Sequence, residues 1–148
     1  MREQSRRVDT IPRMVLGAGA LALVSAGGSS AHATYSIAAV DQATGEVGGA
    51  ITSCVGALDV GIVYGALPGV GVIHAQAQLD SRSRGKNRAL ELLMQGMAPS
   101  EIITEITSDA FDRASASRQY GIVDVMGRVA GFTGASALDY KNNQAGER

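Results

Sequence analysis

Between residues 34 and 133 the apolar pattern changes period twice, and that double switch restricts the chain to a mixed architecture. Period-two alternation marks strands and spacing of three and four marks helices, because side chains alternate across a strand and recur along one helix face. Thr34 to Val40 reads as a strand with small or apolar residues on both faces, so both faces can be covered. Asp41 to Gly45 is a turn, and Glu46 to Val55 returns as the second arm of a hairpin. Gly61 to Tyr64 and Val70 to Leu79 are further strand candidates, joined through Pro68-Gly69.

Helical spacing then takes over. Asp80 or Ser81 can cap a helix that runs to about Gln95 and stops at Gly96, with Ala89, Leu90, Leu93 and Met97 as its apolar stripe. Pro99 suits a first helical position, and Ile102, Ile103, Ile106 and Ala110 form the stripe of a second helix. Arg82, Arg84, Lys86 and Arg88 fall on more than one face, which predicts a solvated surface rather than an anion site. Tyr120 to Val125 and Arg128 to Thr133 flank Met126-Gly127 as a tight hairpin. The end, residues 141–148, is polar and reads as a loop. Strands, then two helices, then strands predict an α+β layered domain.

The first 33 residues follow a different logic. A basic, polar stretch (1–13) precedes an apolar run (14–24), small polar residues, and Ala31-His32-Ala33, the order of a secretory signal with its cleavage site. The apolar run is shorter than the roughly 20 residues a bilayer span needs. The reading is a removable signal peptide over 1–33, a domain over 34–148, and an exported protein, periplasmic or secreted. Ser5-Arg6-Arg7 is a partial twin-arginine signature, but Val8-Asp9-Thr10 continues it poorly.

Composition excludes several classes of function. The leader holds four of the 13 bases and two of the 14 acids, so the remainder is mildly acidic. No basic face with interleaved aromatics points to nucleic acid. Aromatics are 4% with no Trp, so the core must be built from Ala, Val, Ile and Leu. One Cys and one His follow residue 33, which gives no metal-ligand spacing and no internal disulfide; Cys54 is either a buried thiol or the partner of a cysteine in another chain, and the buried, inert thiol is the plainer reading. The glycine-rich stretch 65–71 lacks the Lys-Ser/Thr ending of a phosphate loop, and no cofactor is indicated.

The string TYSIAAVDQATGEVGGAITSC at 34–54 resembles the opening of domain-of-unknown-function family 1028. GVGVIHAQAQLDSRSRG at 69–85, ALELLMQGMAPSEII at 89–103 and RQYGIVDVMGRVAGFTGA at 118–135 match it in the same order. The family looks like the N-terminal-nucleophile hydrolases. The resemblance therefore implies an αββα sandwich and hydrolysis of an amide bond. Family members continue past the position of Arg148 with further helices, so the resemblance implies a sandwich truncated at its C-terminus, with one sheet face left exposed.

Thr34 is the sharpest catalytic candidate. A threonine hydroxyl is a weak nucleophile and needs a base. Cleavage after Ala33 would give Thr34 its own α-amine, with a pKa of about 8, to take the hydroxyl proton. Ser36 shares a strand face with Thr34 and can orient that amine. His74 and Gln76 alternate on one face of their strand, and either can donate to an oxyanion; the plainer reading is a satisfied polar pair at a strand edge. Gln76 also matches a Gln of the family's small-residue strand. Lys86 and Lys141 are the two lysines after residue 33, and sequence places neither beside Thr34. Two functions follow: an exported amide hydrolase acting on a small amide or peptide, or a non-catalytic exported binding or structural module on the same fold. Neither requires nucleic acid or a stable membrane span, and both allow a homo-oligomer.

Overall fold

Residues 34–55, 59–138 and 141–146 are described by a computed structural model. The predicted leader, residues 1–33, lies outside the described residues.

The first hairpin pairs β1 (Thr34–Asp41) with β2 (Glu46–Ser53), antiparallel and in full register from Thr34 opposite Ser53 to Asp41 opposite Glu46. Its turn is set locally. Asp41 accepts bonds from the amides of Ala43 and Thr44, and Gly45 takes φ +76°, a conformation that favours glycine. Those two amide bonds hold the exposed Asp41 carboxyl below its ordinary pKa.

The second sheet holds β3 (Tyr64–Leu67), β4 (Gly71–Ala77), β5 (Arg118–Asp124) and β6 (Val129–Thr133), all antiparallel in that spatial order. The expected strand over 61–64 is instead a 3₁₀ turn at Val60–Val63, and β3 begins at Tyr64. Asp59 accepts from the Gly61 amide at 2.9 Å, and this local bond outcompetes extension. The β5–β6 hairpin turns at Met126-Gly127 as predicted: Gly127 has φ +74°, and one Asp124 oxygen accepts from the amides of Met126 and Arg128.

Helix α1 (Arg84–Met94) starts later than its sequence signals predict. Ser81–Ser83 form a 3₁₀ turn in which Arg82 and Ser83 have positive φ, and the Asp80 carboxylate accepts from the Gly85 amide at 2.7 Å. Asp80 thus caps the helix from four residues ahead of its start. Gly85 is required there, because a Cβ would meet the Tyr120 hydroxyl. Helix α2 (Pro99–Ile106) has Pro at its start, and the Glu101 carboxylate accepts from the Ala98 amide. It ends before Ala110, which is exposed rather than part of the buried stripe. Thr107 and Ser108 hydroxyls donate back to the carbonyls of Ile103 and Glu105 and close the helix there.

Both helices cover one face of the four-stranded sheet. Ile73, Tyr120 and Ile122 from the sheet meet Ala89, Leu92, Leu93, Ile102 and Ile106 from the helices. Leu92 belongs to this core in addition to the predicted stripe. Each buried Leu or Ile among them contributes about 1.5–3 kcal/mol relative to exposure. Asp112 and Arg118 pair at 2.8 Å under this layer, and the guanidinium also donates to the Gln78 carbonyl. The basic residues of α1 are spread out: Arg84 stacks on Phe111, Lys86 donates to the carbonyls of Ile62 and Tyr64, and Arg88 pairs with Glu105 and Glu91.

The β1–β2 hairpin lies on the opposite face of the four-stranded sheet, giving the order two-stranded sheet, four-stranded sheet, helices. Thr34, Ser36, Ala38 and Val40 turn inward, while Tyr35 and Ile37 stand on the outer face at 70% and 53% exposure. Among the described residues nothing covers that outer face. Cys54, expected to be buried, is exposed, because β2 ends at Ser53 and leaves it beyond the sheet.

Candidate functional site

The layer between the two sheets is polar at one end and apolar at the other. Strand alternation puts Val72, His74 and Gln76 of β4 on the inner face, with Gln119, Gly121 and Val123 of β5 opposite them. Register then aligns Gln76 with Gln119, and Gln119 with Thr133 of β6. These three form a row perpendicular to the strands, and the Ser36 side chain and the Thr34 carbonyl lie against it.

The row is continuously hydrogen-bonded. The Ser36 hydroxyl donates to Gln76 Oε1 at 2.8 Å. Gln76 Nε2 donates to Gln119 Oε1 at 2.8 Å and, more weakly, to the Thr34 carbonyl at 3.5 Å. Gln119 Nε2 donates to Thr133 Oγ1 at 3.1 Å and to the Asn142 carbonyl at 2.8 Å. Asn143 Nδ2 donates to Thr133 Oγ1 at 2.8 Å. The Thr34 hydroxyl shares a 3.0 Å bond with the Ser53 hydroxyl on the neighbouring strand. The tail segment reaches the row because Gly131 has no side chain: a Cβ there would lie 2.8 Å from the Cβ of Asn143.

His74 sits one step further into the layer, only 3% exposed. Its Nε2 is 2.9 Å from the Ile37 carbonyl, which can only accept, so Nε2 carries the proton and Nδ1 does not. Nδ1 is buried with no partner among the described residues. Burial pushes the imidazole pKa below its ordinary value, and the Ile37 bond opposes this more weakly. Tyr64 packs its ring against His74 at 5.4 Å, and Gly49 leaves room for both. The expected polar pair at a strand edge is therefore neither paired nor at an edge. β4 is an inner strand, and His74 and Gln76 bind different residues of β1.

All four candidate residues thus belong to β1 or β4. Thr34, Ser36 and Gln76 come together, with His74 two residues away on the same face. The hydrogens on both candidate oxyanion donors are engaged: those of Gln76 with Thr34 and Gln119, that of His74 with Ile37. The two lysines act elsewhere, and Lys141 donates to the carbonyls of Ala135 and Ala137. Gln119, Thr133 and Asn143 join the site without having been singled out from sequence. A polar residue interrupting an apolar strand is a visible signal at Gln119, but its partner depends on strand register. Among the described residues no three His, Cys, Asp or Glu side chains converge on a metal position. None of the described helices is long and apolar enough to cross a membrane. A shallow crevice of about 220 Å³ opens at the other end of the four-stranded sheet, lined by Val70, Met94, Met97 and Met126, away from the row.

Two face-to-face antiparallel sheets with helices outside the larger one, and a polar row beneath the start of β1, define a layered α+β domain with two sheets and two helices. The chain belongs to the family of unknown function DUF1028, whose profile matches residues 34–148. The crystal structure of protein SPO2555 from Silicibacter pomeroyi, described by that same family, is similar, with a TM-score of 0.64 and 32% identity. The match covers 74% of this chain and 46% of that one, so the present chain spans less than half the length of that relative. No curated protein matches the chain.

Proposed function

We propose that the protein is an exported hydrolase of amide bonds of the N-terminal-nucleophile type, with Thr34 as nucleophile after cleavage behind Ala33. The observation that carries this reading is the position of Thr34. It is the first residue of β1, its side chain faces the inter-sheet layer, and its hydroxyl and carbonyl are each held by a polar side chain, Ser53 and Gln76. The layer order supports it, since two sheets and one helical layer are three of the four layers of an αββα sandwich. The uncovered outer face of β1–β2 is where the fourth would lie.

The chemistry follows from the residues. The α-amine of Thr34 takes the hydroxyl proton as Oγ1 attacks the carbonyl carbon of a small amide or peptide. The collapsing tetrahedral intermediate expels the amine, which leaves with that proton, and water then hydrolyses the Thr34 ester. Holding base and nucleophile on one residue replaces an encounter by fixed geometry. Ser36, polarised by Gln76, keeps its oxygen lone pairs free to accept from the amine.

A non-catalytic binding or structural module is the second reading. It is favoured by the engagement of the Gln76 and His74 donors with the protein itself, which leaves no assigned oxyanion donor. Covalent labelling of the matured protein by an acylating electrophile, read by mass at the peptide that begins with Thr34, separates the two. Thr34→Ser should keep partial labelling and Thr34→Ala should abolish it. One Gly inserted before Thr34 should be nearly as damaging, because it moves the amine. Equal labelling of wild type and Thr34→Ala overturns the nucleophile. A mature N-terminus other than Thr34 removes its base.

A further inference from the structure

We infer that Gln119 is a positioning residue for Thr34, acting through Gln76, and that its own orientation is set by the main-chain carbonyl of Asn142. The inference rests on the Thr34 reading above. Its basis is the direction of the hydrogen bonds in the row, which acceptor-only carbonyls determine.

A backbone carbonyl can only accept. The atom of the Gln119 amide that faces Asn142 O at 2.8 Å is therefore nitrogen. Its oxygen must then face Gln76, and the Gln76 atom that meets it at 2.8 Å must be nitrogen. That same nitrogen lies 3.5 Å from the Thr34 carbonyl, a second acceptor-only group, so the two constraints agree. Gln76 Oε1 is consequently turned to Ser36, whose hydroxyl has to donate. Polarity thus runs from Asn142 through Gln119 and Gln76 to the first and third residues of β1, with no freedom to flip an amide midway.

Gln119 is suited to this. It is 8% exposed, lies on an inner strand, and makes three bonds that use its oxygen and both N–H groups. The side chains of the other members of the row (Thr34, Ser36, Gln76, Thr133 and Asn143) are uncharged, so in the matured protein the Thr34 α-amine is the ionisable group of the row that a charge placed at 119 meets. Without Gln119, only the longer 3.5 Å bond to the Thr34 carbonyl holds the Gln76 amide. The amide can then swing away from Thr34 and let Ser36 accept rather than donate. The candidate nucleophile stays in place but loses the orientation of the groups around its amine.

The test uses the matured, exported protein and two variants, with the rate of Thr34 acylation followed from pH 4 to 9. Gln119→Leu removes the polar bonds at similar volume and should slow labelling about tenfold at every pH, the scale of one lost orienting hydrogen bond to a reacting group. Gln119→Glu should be as slow at neutral pH, where the introduced carboxylate faces the Asn142 carbonyl. It should recover toward wild type as the pH falls and the carboxyl, once protonated, donates to Asn142 and accepts from Gln76. A merely structural role would not produce that pH-dependent rescue, and it keeps the test informative if the Leu variant fails to fold. The α-amine titration of Thr34, read by ¹⁵N NMR, is measured alongside and should move in both variants. Wild-type labelling that neither variant alters, or a Gln119→Glu profile parallel to wild type, overturns the positioning role alone. An amine titration that moves with Gln119 in a wild type that never labels retains the coupling and discards the nucleophile.

Discussion

Gly49→Ala should detach the first hairpin from the main sheet, and the size of the effect can be worked from three distances. A Cβ at Gly49 would lie 2.8 Å from His74 Nε2, 2.8 Å from the Ile37 carbonyl oxygen and 2.9 Å from Tyr64 Cε2. The first two atoms are the ends of the bond that ties β1 to β4. A methyl cannot enter without separating them. Overpacking of this kind costs about 1–3 kcal/mol. Losing the Nε2 bond leaves both nitrogens of a buried imidazole unpartnered and adds about 1–3 kcal/mol. The sum, about 2–6 kcal/mol, is a large part of the roughly 5–15 kcal/mol that holds a domain folded. Urea unfolding followed by circular dichroism should show the midpoint falling by roughly 1–3 M, given a slope of about 2 kcal/mol/M. Gly48→Ala is the control one residue away. Its Cβ meets nothing within 4 Å, so its change should stay within about 0.5 kcal/mol. Adding His74→Ala to Gly49→Ala should recover part of the loss, because the added methyl then has space. Equal midpoints for the two glycine variants would refute the packing argument.

Two further outcomes are expected. His74 is held neutral in the fold, so the unfolded chain binds the extra proton; stability is full above the ordinary histidine value of 6.5 and is lost as pH falls through the lowered folded pKa. A denaturation series from pH 8 to 5 should show this slope in wild type and lose it in His74→Gln; an unchanged slope in the variant would assign the effect elsewhere. Cys54 is exposed and outside the polar row, so the native protein should react with one equivalent of a thiol reagent. Cys54→Ala should leave the proposed acylation of Thr34 unaltered, and loss of labelling at Thr34 in a folded Cys54→Ala variant would contradict its placement.

Much of the fold was legible because its determinants are local. The Asp41–Gly45 turn, the Met126-Gly127 hairpin and the Pro99 helix start each depend on residues within a few positions of one another. The failures are also local competitions whose winner depends on a neighbour. Asp59 converts residues 60–63 into a 3₁₀ turn, and positive φ at Arg82 and Ser83 delays α1 until the Asp80 carboxylate can reach Gly85. The site divides in the same way. Alternation alone shows that Thr34 shares a face with Ser36, and His74 with Gln76. Nothing along the chain reveals that Ser36 meets Gln76 forty residues away, or that Gln76 meets Gln119 forty-three residues on. Those pairings need the hairpin laid across β4 and the β4–β5 register, and a one-residue slip in either would turn the row to the opposite face. The sequence by itself determined the order of elements, the mixed class and Thr34 as a small polar residue opening a strand. Tertiary structure alone decided that His74 is sealed between sheets, that Cys54 is outside, and that an acceptor-only carbonyl at Asn142 sets the polarity of the whole row, because hydrogen-bond direction is a property of the assembled network and of no single residue in it.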